Sequence, residues 1–288
     1  MTRMTRTVLA LCTFLALGLL HSAAFGAEIQ WADSYAAAVK KAKSTGRPIM
    51  IDFYADWCGW CKKLDSDVYT EANVVKKAKD FVSVKLNTET EAEGRELARK
   101  HGINSLPTIL FVNEKGQVLN RVQGFKPAPA FAEEMDKTLA VHNELPQVRS
   151  QFKKNPGSIQ AAARLTQLYS QMGDAENAIA TLAKVAALDP QDRTGQRAKA
   201  MRAVAEMYVG QRDIKSAVAM FQKTANVASN ANDVVYSRMS AAVGLVDMLG
   251  DIKSGVRELL ALLRDDRVSE KDKETAREIL KKIPTPLW

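Results

Sequence analysis

The sequence predicts two domains: an α/β domain with a central mixed sheet flanked by helices, followed by an all-α domain. Between Trp31 and Gly124, short apolar runs alternate with amphipathic stretches, as expected for packed layers of strands and helices. After about Val141 the strand-like runs disappear, and helical periodicity continues to Ile283. With 288 residues, the chain is long enough to build two separate cores.

The elements of the α/β domain follow from the apolar periodicity and from the residues that interrupt it. Gly46 and Pro48 stop the first helix, and residues 113–116 have the composition of a hairpin turn. We expect helices over residues 31–44, from Cys58 onward, and over residues 73–79, 91–100 and 127–139, with strands over residues 49–54, 82–86, 108–112 and 118–123.

The N-terminal segment has the pattern of a secretory signal peptide. Arg3 and Arg6 precede an uncharged run over residues 8–20, and small residues follow up to Ala27. This run is shorter than the roughly 20 residues of a membrane-spanning helix. We therefore expect residues 1–27 to be removed as the signal peptide, which leaves a periplasmic protein that does not span the membrane. Retention of this segment as an uncleaved anchor is the alternative.

The charge pattern argues against a nucleic-acid partner. The formal net charge is +8, and loss of the two signal-peptide arginines lowers it to about +6. Lysines and arginines are spread among acidic residues along the helical faces, with no dense basic block. A solvated surface is the better interpretation of this mildly basic balance.

An internal repeat predicts helical hairpins in the second domain. The segment over residues 213–218 recurs at 251–256, and residues 174–179 hold the same place one unit earlier. The surrounding positions resemble the tetratricopeptide repeat, although Arg212 replaces its turn glycine. After an α/β domain over residues 28–141 and a linker over 142–157, we expect three degenerate repeats of this kind within residues 158–284; a plain helical bundle is the alternative.

Cys58 and Cys61 lie where a buried strand gives way to a helix. Unpaired N–H groups and the helix dipole favour a thiolate at a helix N-terminus, so Cys58 is the expected attacking thiol. Cys61, about one turn further on, is expected to be more buried and to act as the resolving thiol. Because Cys12 leaves with the signal peptide, these two are the only cysteines expected in the mature chain.

Two other interpretations of the cysteine pair, a zinc site and a purely structural disulfide, have less support in the sequence. A zinc site needs two further ligands, and outside the signal peptide the only histidines are His101 and His142. A purely structural disulfide across two residues closes a very small loop and restricts the unfolded chain little. We expect no metal and no cofactor, only a redox-active disulfide.

The motif around the cysteines resembles a known family. The sequence Tyr-Ala-Asp-Trp-Cys-Gly-Trp-Cys-Lys over residues 54–62, together with Asp52, the Leu106-Pro107-Thr108 element and Gly124, resembles the thioredoxin superfamily. It is especially similar to the C-terminal periplasmic domain of DsbD-type disulfide reductases. This resemblance implies a thioredoxin-like fold over residues 28–141 and a cis proline at Pro107 that pairs its preceding backbone with substrate.

The resemblance also implies roles for neighbouring side chains. Asp52 lies in an apolar strand, where burial raises a carboxyl pKa, and it is expected to exchange a proton with Cys61. Lys85, on the next strand, is its possible proton-relay partner. Trp60 stands where thioredoxin has proline, which leaves the redox potential open. The expected substrate-facing residues are Trp57, Gly59, Trp60 and Leu106.

These observations predict an exported thiol-disulfide oxidoreductase that reduces protein disulfides through Cys58 and Cys61. The expected partners are protein thiols and disulfides, a membrane protein that donates electrons, and protein clients selected by the helical repeats. Two alternatives remain from the sequence: a non-catalytic periplasmic adaptor or chaperone that uses the repeats, and a dithiol oxidase or isomerase.

Overall fold

The computed structural model describes residues 28–283. The predicted signal peptide, including Cys12, lies outside these residues. Within them, the chain forms a five-stranded mixed sheet flanked by helices and then a series of packed helix pairs. This confirms the predicted fold class. No helix among the described residues is both long enough and apolar enough to cross a membrane.

The sheet has the spatial order β1-β3-β2-β4-β5. β1, β3 and β2 run parallel, whereas β4 is antiparallel to β2 and β5 is antiparallel to β4. This order places β2, which leads into the cysteine motif, at the centre of the sheet and β5 at an edge. The strands are β1 (Trp31–Ala32), β2 (Ile49–Tyr54), β3 (Val82–Asn87), β4 (Thr108–Val112) and β5 (Val118–Gln123).

The first helix begins later than the sequence predicts. Trp31 and Ala32 pair with β3 as a short edge strand, and the Ser34 side chain accepts the N–H of Ala37 to cap the helix. A two-residue strand is too short to produce an alternating pattern. The helices of this domain before β4 are α1 (Tyr35–Thr45), α2 (Gly59–Asp67), α3 (Ala72–Ala78) and α4 (Ala92–Lys100).

Strand β2 is buried on both faces. Ile51 and Phe53 belong to the core that packs against α1 and α4. Met50 faces the opposite side and joins the core that contains Leu64 of α2. Because side chains alternate along a strand, Asp52 shares the face of Met50 and points into the layer beneath α2.

A single helix, α5 (Ala128–Lys154), connects the two halves of the chain. Two predictions are therefore wrong. The helix expected to end at Leu139 continues to Lys154, and it occupies most of the predicted linker over residues 142–157. Its buried residues Phe131 and Leu145 belong to one continuous core, which joins Phe111 of the sheet to Leu168 of the next helix. The two halves therefore pack on a shared hydrophobic core.

The second half consists of three helix pairs and a final helix. Asp174, Asp213 and Asp251 each cap the second helix of a pair, because each side chain accepts the N–H of the residue three positions on. This explains the repeated sequence segments; their assignment as tetratricopeptide repeats stays a prediction. The helices are α6 (Ile159–Gln171) with α7 (Ala175–Leu188), α8 (Gln196–Gly210) with α9 (Ile214–Val227), α10 (Ala231–Val243, continued by a π-helical turn over Gly244–Met248) with α11 (Ile252–Leu263), and α12 (Glu270–Lys282).

Replacing Arg212 with glycine is expected to stabilise the protein by about 0.5–1 kcal/mol. Arg212, which precedes the capping Asp213, has φ of 61°. At the equivalent positions of the other two helix pairs, Gly173 and Gly250 have φ of 71° and 70°. Glycine adopts this left-handed conformation without the steric cost that a Cβ brings. Thermal or urea unfolding of the variant measures the change. Gly250→Ala is the matched control and should destabilise by a similar amount; an Arg212→Gly variant no more stable than wild type contradicts the strain argument.

Candidate active site

The two cysteines form a disulfide at the N-terminus of α2. Their Cα atoms are 5.3 Å apart and the S–S distance is 2.07 Å. Cys58 is the N-cap residue of α2, and its Sγ accepts the N–H of Cys61 at 3.1 Å. This is the position at which the first-turn N–H groups and the helix dipole favour negative charge on sulfur.

Burial does not distinguish the two sulfurs in the disulfide form. Cys58 and Cys61 are each 3% exposed, so the expected greater burial of Cys61 is wrong for this state. The asymmetry lies in the backbone, because the Cys61 N–H points at the Cys58 sulfur. A negative charge after bond cleavage is therefore better stabilised on Cys58 than on Cys61.

A cis peptide bond joins Leu106 to Pro107, as the family resemblance implies. Pro107 is buried, and its carbonyl accepts the N–H of Gly124 at 2.8 Å, which ties the end of β5 to the start of β4. Leu106 is half-buried and packs against the core on the α1 side of the sheet. Among the described residues, no hydrogen bond engages the Leu106 backbone, so this peptide is free to pair with an extended chain.

The Asp52 carboxyl is fully buried and has no hydrogen-bond partner among the described residues. It lies directly opposite Lys85 in the parallel pairing of β2 and β3, and the Lys85 Nζ is 3.7 Å from its Oδ2. An unpaired buried carboxylate costs several kcal/mol, so the neutral acid is favoured unless a cation lies near. The structure thus brings together the two groups that the sequence paired.

Lys85 contacts a second acidic residue and three aromatic rings in addition to Asp52. Its ammonium group forms an ion pair with Asp65 on α2 and lies 5.1–5.7 Å from the ring centroids of Trp31, Tyr54 and Tyr69. Three ring faces and a partly exposed carboxylate fix the cation at a short distance from Asp52 without a direct hydrogen bond to it.

These contacts set the protonation of Asp52. Burial raises the pKa of Asp52 from 3.8 to about 6, the Lys85 charge opposes the rise, and the Asp65 charge adds to it. The pKa of Tyr69, buried beside it, is raised by burial and then by the Asp52 charge. A carboxyl with a pKa about 6 exchanges protons readily near neutral pH, which is what a proton carrier for a buried thiol requires.

Two tryptophans form an exposed apolar lip beside the disulfide. Trp57 is 68% and Trp60 58% exposed. The Trp57 Nε1 donates to Glu89 at 2.8 Å, and the Trp60 ring lies 5.4 Å from that of Phe125. These contacts hold both rings at the surface, where they suit an apolar segment of another protein.

Sequence reasoning missed several groups at the site. Glu89 and Phe125 position the tryptophans, while Asp65 and Tyr69 surround the Lys85–Asp52 pair. Phe125 directly follows Gly124, which belongs to the family motif, and this adjacency in the sequence indicates a position near the site. Gly59 faces open space, since a Cβ built there meets no atom within 4 Å.

A disulfide that only closed a loop would need neither a helix N-terminus at one sulfur nor a buried carboxyl beneath the helix. Both features act on thiol ionisation, the first by stabilising a thiolate and the second by exchanging a proton. They assign the domain to the thiol-disulfide oxidoreductases.

Comparison with known proteins gives the same class. Residues 35–139 match the family of thioredoxin-like domains, and this part of the chain is a thioredoxin-like domain. Two curated relatives are thiol:disulfide interchange proteins DsbD, one from Ralstonia nicotianae, 33% identical over 111 residues, and one from Actinobacillus pleuropneumoniae, 37% identical over 95 residues. The matches cover 38% and 32% of this chain but 18% and 16% of the relatives. The chain thus spans less than a fifth of the length of these relatives.

Two of the solved structures with similarity to this chain are of shorter chains. The DsbH oxidoreductase is 23% identical, with a TM-score of 0.37, and the match covers 42% of this chain and 92% of that structure. A thioredoxin from Thermus thermophilus is 25% identical, with a TM-score of 0.38, and the match covers 41% of this chain and 93% of that structure.

Proposed function

We propose that this protein reduces disulfide bonds in other proteins through the Cys58–Cys61 dithiol. The observation that carries the proposal is the position of the disulfide. It caps α2 with the Cys61 N–H directed at the Cys58 sulfur, and Asp52 lies buried on the sheet face that α2 covers. This arrangement supports an attacking thiolate at Cys58 and a resolving thiol at Cys61.

The reaction begins with both cysteines reduced. The Cys58 thiolate attacks one sulfur of the client disulfide, forms a mixed disulfide and releases the other client sulfur as a thiolate. Cys61 then loses its proton and attacks the Cys58 sulfur. The client leaves as a dithiol, two electrons have passed to it, and the Cys58–Cys61 disulfide has formed. A protein dithiol must reduce that disulfide before the next turnover.

Neighbouring residues serve each step. Asp52, ionised above its pKa of about 6, accepts the proton of Cys61 and returns it when the enzyme is reduced again. Lys85 limits the cost of the buried charge. The free Leu106 backbone beside Pro107 pairs with the client chain around its cysteine, and Trp57 and Trp60 cover the reacting sulfurs from water.

Export and the electron source belong to the same proposal. The N-terminal sequence pattern supports delivery to the periplasm, and the similarity to part of DsbD supports a membrane protein as the source of electrons. The helical half supplies the surface on which clients are selected. Reduction is the proposed direction because the motif resembles that of disulfide reductases.

The reduction potential of the Cys58–Cys61 pair tests the direction. Equilibration of the purified protein with glutathione redox buffers, followed by alkylation and mass analysis, gives the potential. A value near −270 mV, like that of thioredoxin, is expected for a reductant. A value near −120 mV, like that of DsbA, contradicts the proposed direction and favours dithiol oxidation. Failure to reduce insulin disulfides in the presence of dithiothreitol contradicts the enzymatic role altogether.

A further inference from the structure

A groove of about 1210 Å³ lies between the edge of the sheet and the helix pairs. One wall is strand β5 with the start of α5, and the other is formed by α6 and α8. Both walls are fixed relative to each other, because α5 belongs to the core that continues from the sheet into α6 and α8. The groove is a permanent feature of the junction between the two halves.

One end of the groove lies beside the segment that contains the cis proline. Gln123, the last residue of β5, lines the groove and pairs in register with Thr108, which follows Pro107. The next residue, Gly124, donates its N–H to the Pro107 carbonyl at 2.8 Å. The residue after that, Phe125, packs on Trp60. A chain that pairs with the Leu106 backbone can therefore continue into the groove.

The lining is suited to an extended polypeptide. Five glutamines line it, and an amide both donates and accepts hydrogen bonds, as a peptide group does. Those of Gln123 and Gln171 have no partner among the described residues, and neither does the buried Ser170 hydroxyl. The other glutamines that line the groove are Gln117, Gln167 and Gln211.

The edge strand is partly closed to direct backbone pairing. The Arg121 N–H already donates to the Asn120 side chain at 2.8 Å. Recognition in the groove is therefore assigned to side chains of the helices more than to strand addition on β5. The free Lys199 ammonium on α8 adds a donor for carbonyl groups, since no ion pair occupies it within the described part of the chain.

Size and charge exclude other occupants. The volume exceeds the 300–1,000 Å³ usual for small-molecule sites. Basic and acidic residues both line the groove, and Glu134 is already bound by Lys126 and Lys137. Neither charge sign dominates, as a nucleic acid or a strongly acidic partner would require. Strand β5 is about 20 Å long, enough for about six extended residues.

We propose that this groove binds the extended segment of a client polypeptide that flanks the cysteine reacting with Cys58. The proposal rests on the proposed reductase function and gives it a specificity site. Clients whose disulfides lie in unfolded or exposed extended segments are the preferred substrates. Compact client domains and small disulfides do not reach the groove.

Point variants are the appropriate test, because cutting the chain after Leu145 would expose the shared core around Val148 and Leu168. In the full chain, the double variant Gln171→Ala/Lys199→Ala removes two free polar groups from the groove. The matched control, Gln160→Ala/Lys184→Ala, removes the same residue types from exposed positions outside it. Both substrates are disulfide-linked peptides with a fluorescence readout, one with two residues and one with ten residues on each side of the cysteine.

Wild-type protein is expected to reduce the long peptide with a kcat/KM at least about tenfold above that for the short one. The groove variant should lose most of this preference while reducing the short peptide within twofold of wild type. The control variant should keep the preference. Equal rates on both peptides with wild type, or an unchanged preference in the groove variant, overturn the groove proposal. Absence of any reduction by wild type overturns the proposed function instead.

A second measurement needs no turnover. The Cys61→Ser variant, joined through Cys58 to the long peptide, is compared with the same variant joined to the short peptide by hydrogen–deuterium exchange. Slower exchange confined to β5 and to the segments 167–174 and 199–211 is expected with the long peptide. Identical exchange in the two adducts overturns the proposal.

Discussion

Replacing Cys61 with serine is expected to stop turnover and to leave client proteins covalently attached to Cys58. The first attack needs only the Cys58 thiolate, whose stabilising N–H donor is the backbone of residue 61 and survives the substitution. The second attack needs a thiol that serine lacks. Disulfide reduction should fall by a factor on the order of 10³ or more, as when a nucleophile is removed.

The measurement is non-reducing electrophoresis and mass analysis of proteins that co-purify with the Cys61→Ser variant. Cys58→Ser is the matched control, since it removes the attacking thiol and should give neither activity nor adducts. Adducts that form with Cys58→Ser and not with Cys61→Ser would assign the attack to Cys61 and reverse the roles. No adducts with either variant would favour a non-catalytic adaptor.

Asp52→Asn is expected to stabilise the protein at high pH and to slow its catalysis. In the folded protein the pKa of Asp52 is about 6, against 3.8 for a free carboxyl. Between these values the folded state holds a proton that the unfolded state has lost, so wild-type stability falls as the pH rises from about 4 to above 6. Asparagine stays neutral, and the variant escapes this loss.

The advantage of Asp52→Asn over wild type should therefore grow by about 2–3 kcal/mol between pH 4 and pH 8. Urea unfolding of both proteins in the disulfide form across this range measures it. Turnover at pH 7 should fall by about 10²-fold, because Cys61 loses its proton acceptor.

Asp67→Asn is the matched control. Asp67 is the last residue of α2, the helix that covers the Asp52 face of the sheet, but it is exposed and pairs with Lys63. Its replacement should leave the pH dependence of stability and turnover between pH 5 and 8 unchanged. A constant stability difference between Asp52→Asn and wild type across the pH range would show that Asp52 does not titrate in the folded protein near pH 6.

The sequence was informative wherever a signal is local. Strands β2, β4 and β5 have the predicted bounds, because each is a short apolar or alternating run ended by a turn or a proline. The cysteine motif lies at the predicted strand-to-helix junction. Lys85 is the expected partner of Asp52 because it lies on the neighbouring strand, and the register places the two residues opposite each other.

The length of α5 and the presence of β1 were harder to predict. The sequence analysis predicts a linker over residues 142–157, which contain Pro146, yet α5 runs through to Lys154. Its buried positions contact both the sheet and α6, and these contacts stabilise the helix despite the proline. The short strand β1 likewise depends on its partner β3 and has no pattern of its own.

The amino-acid sequence alone predicts the order of the two folds, the reactive cysteine pair, and Asp52, Lys85 and Pro107 beside it. The packed structure adds what surrounds these residues: Asp65 and three rings around Lys85, Glu89 against Trp57, Phe125 against Trp60, and the groove that extends from Gln123. The reason is physical. Periodicity and motifs record the local geometry of the backbone, whereas ion pairs, ring contacts and grooves form between side chains that lie far apart in the sequence and meet only when the layers pack.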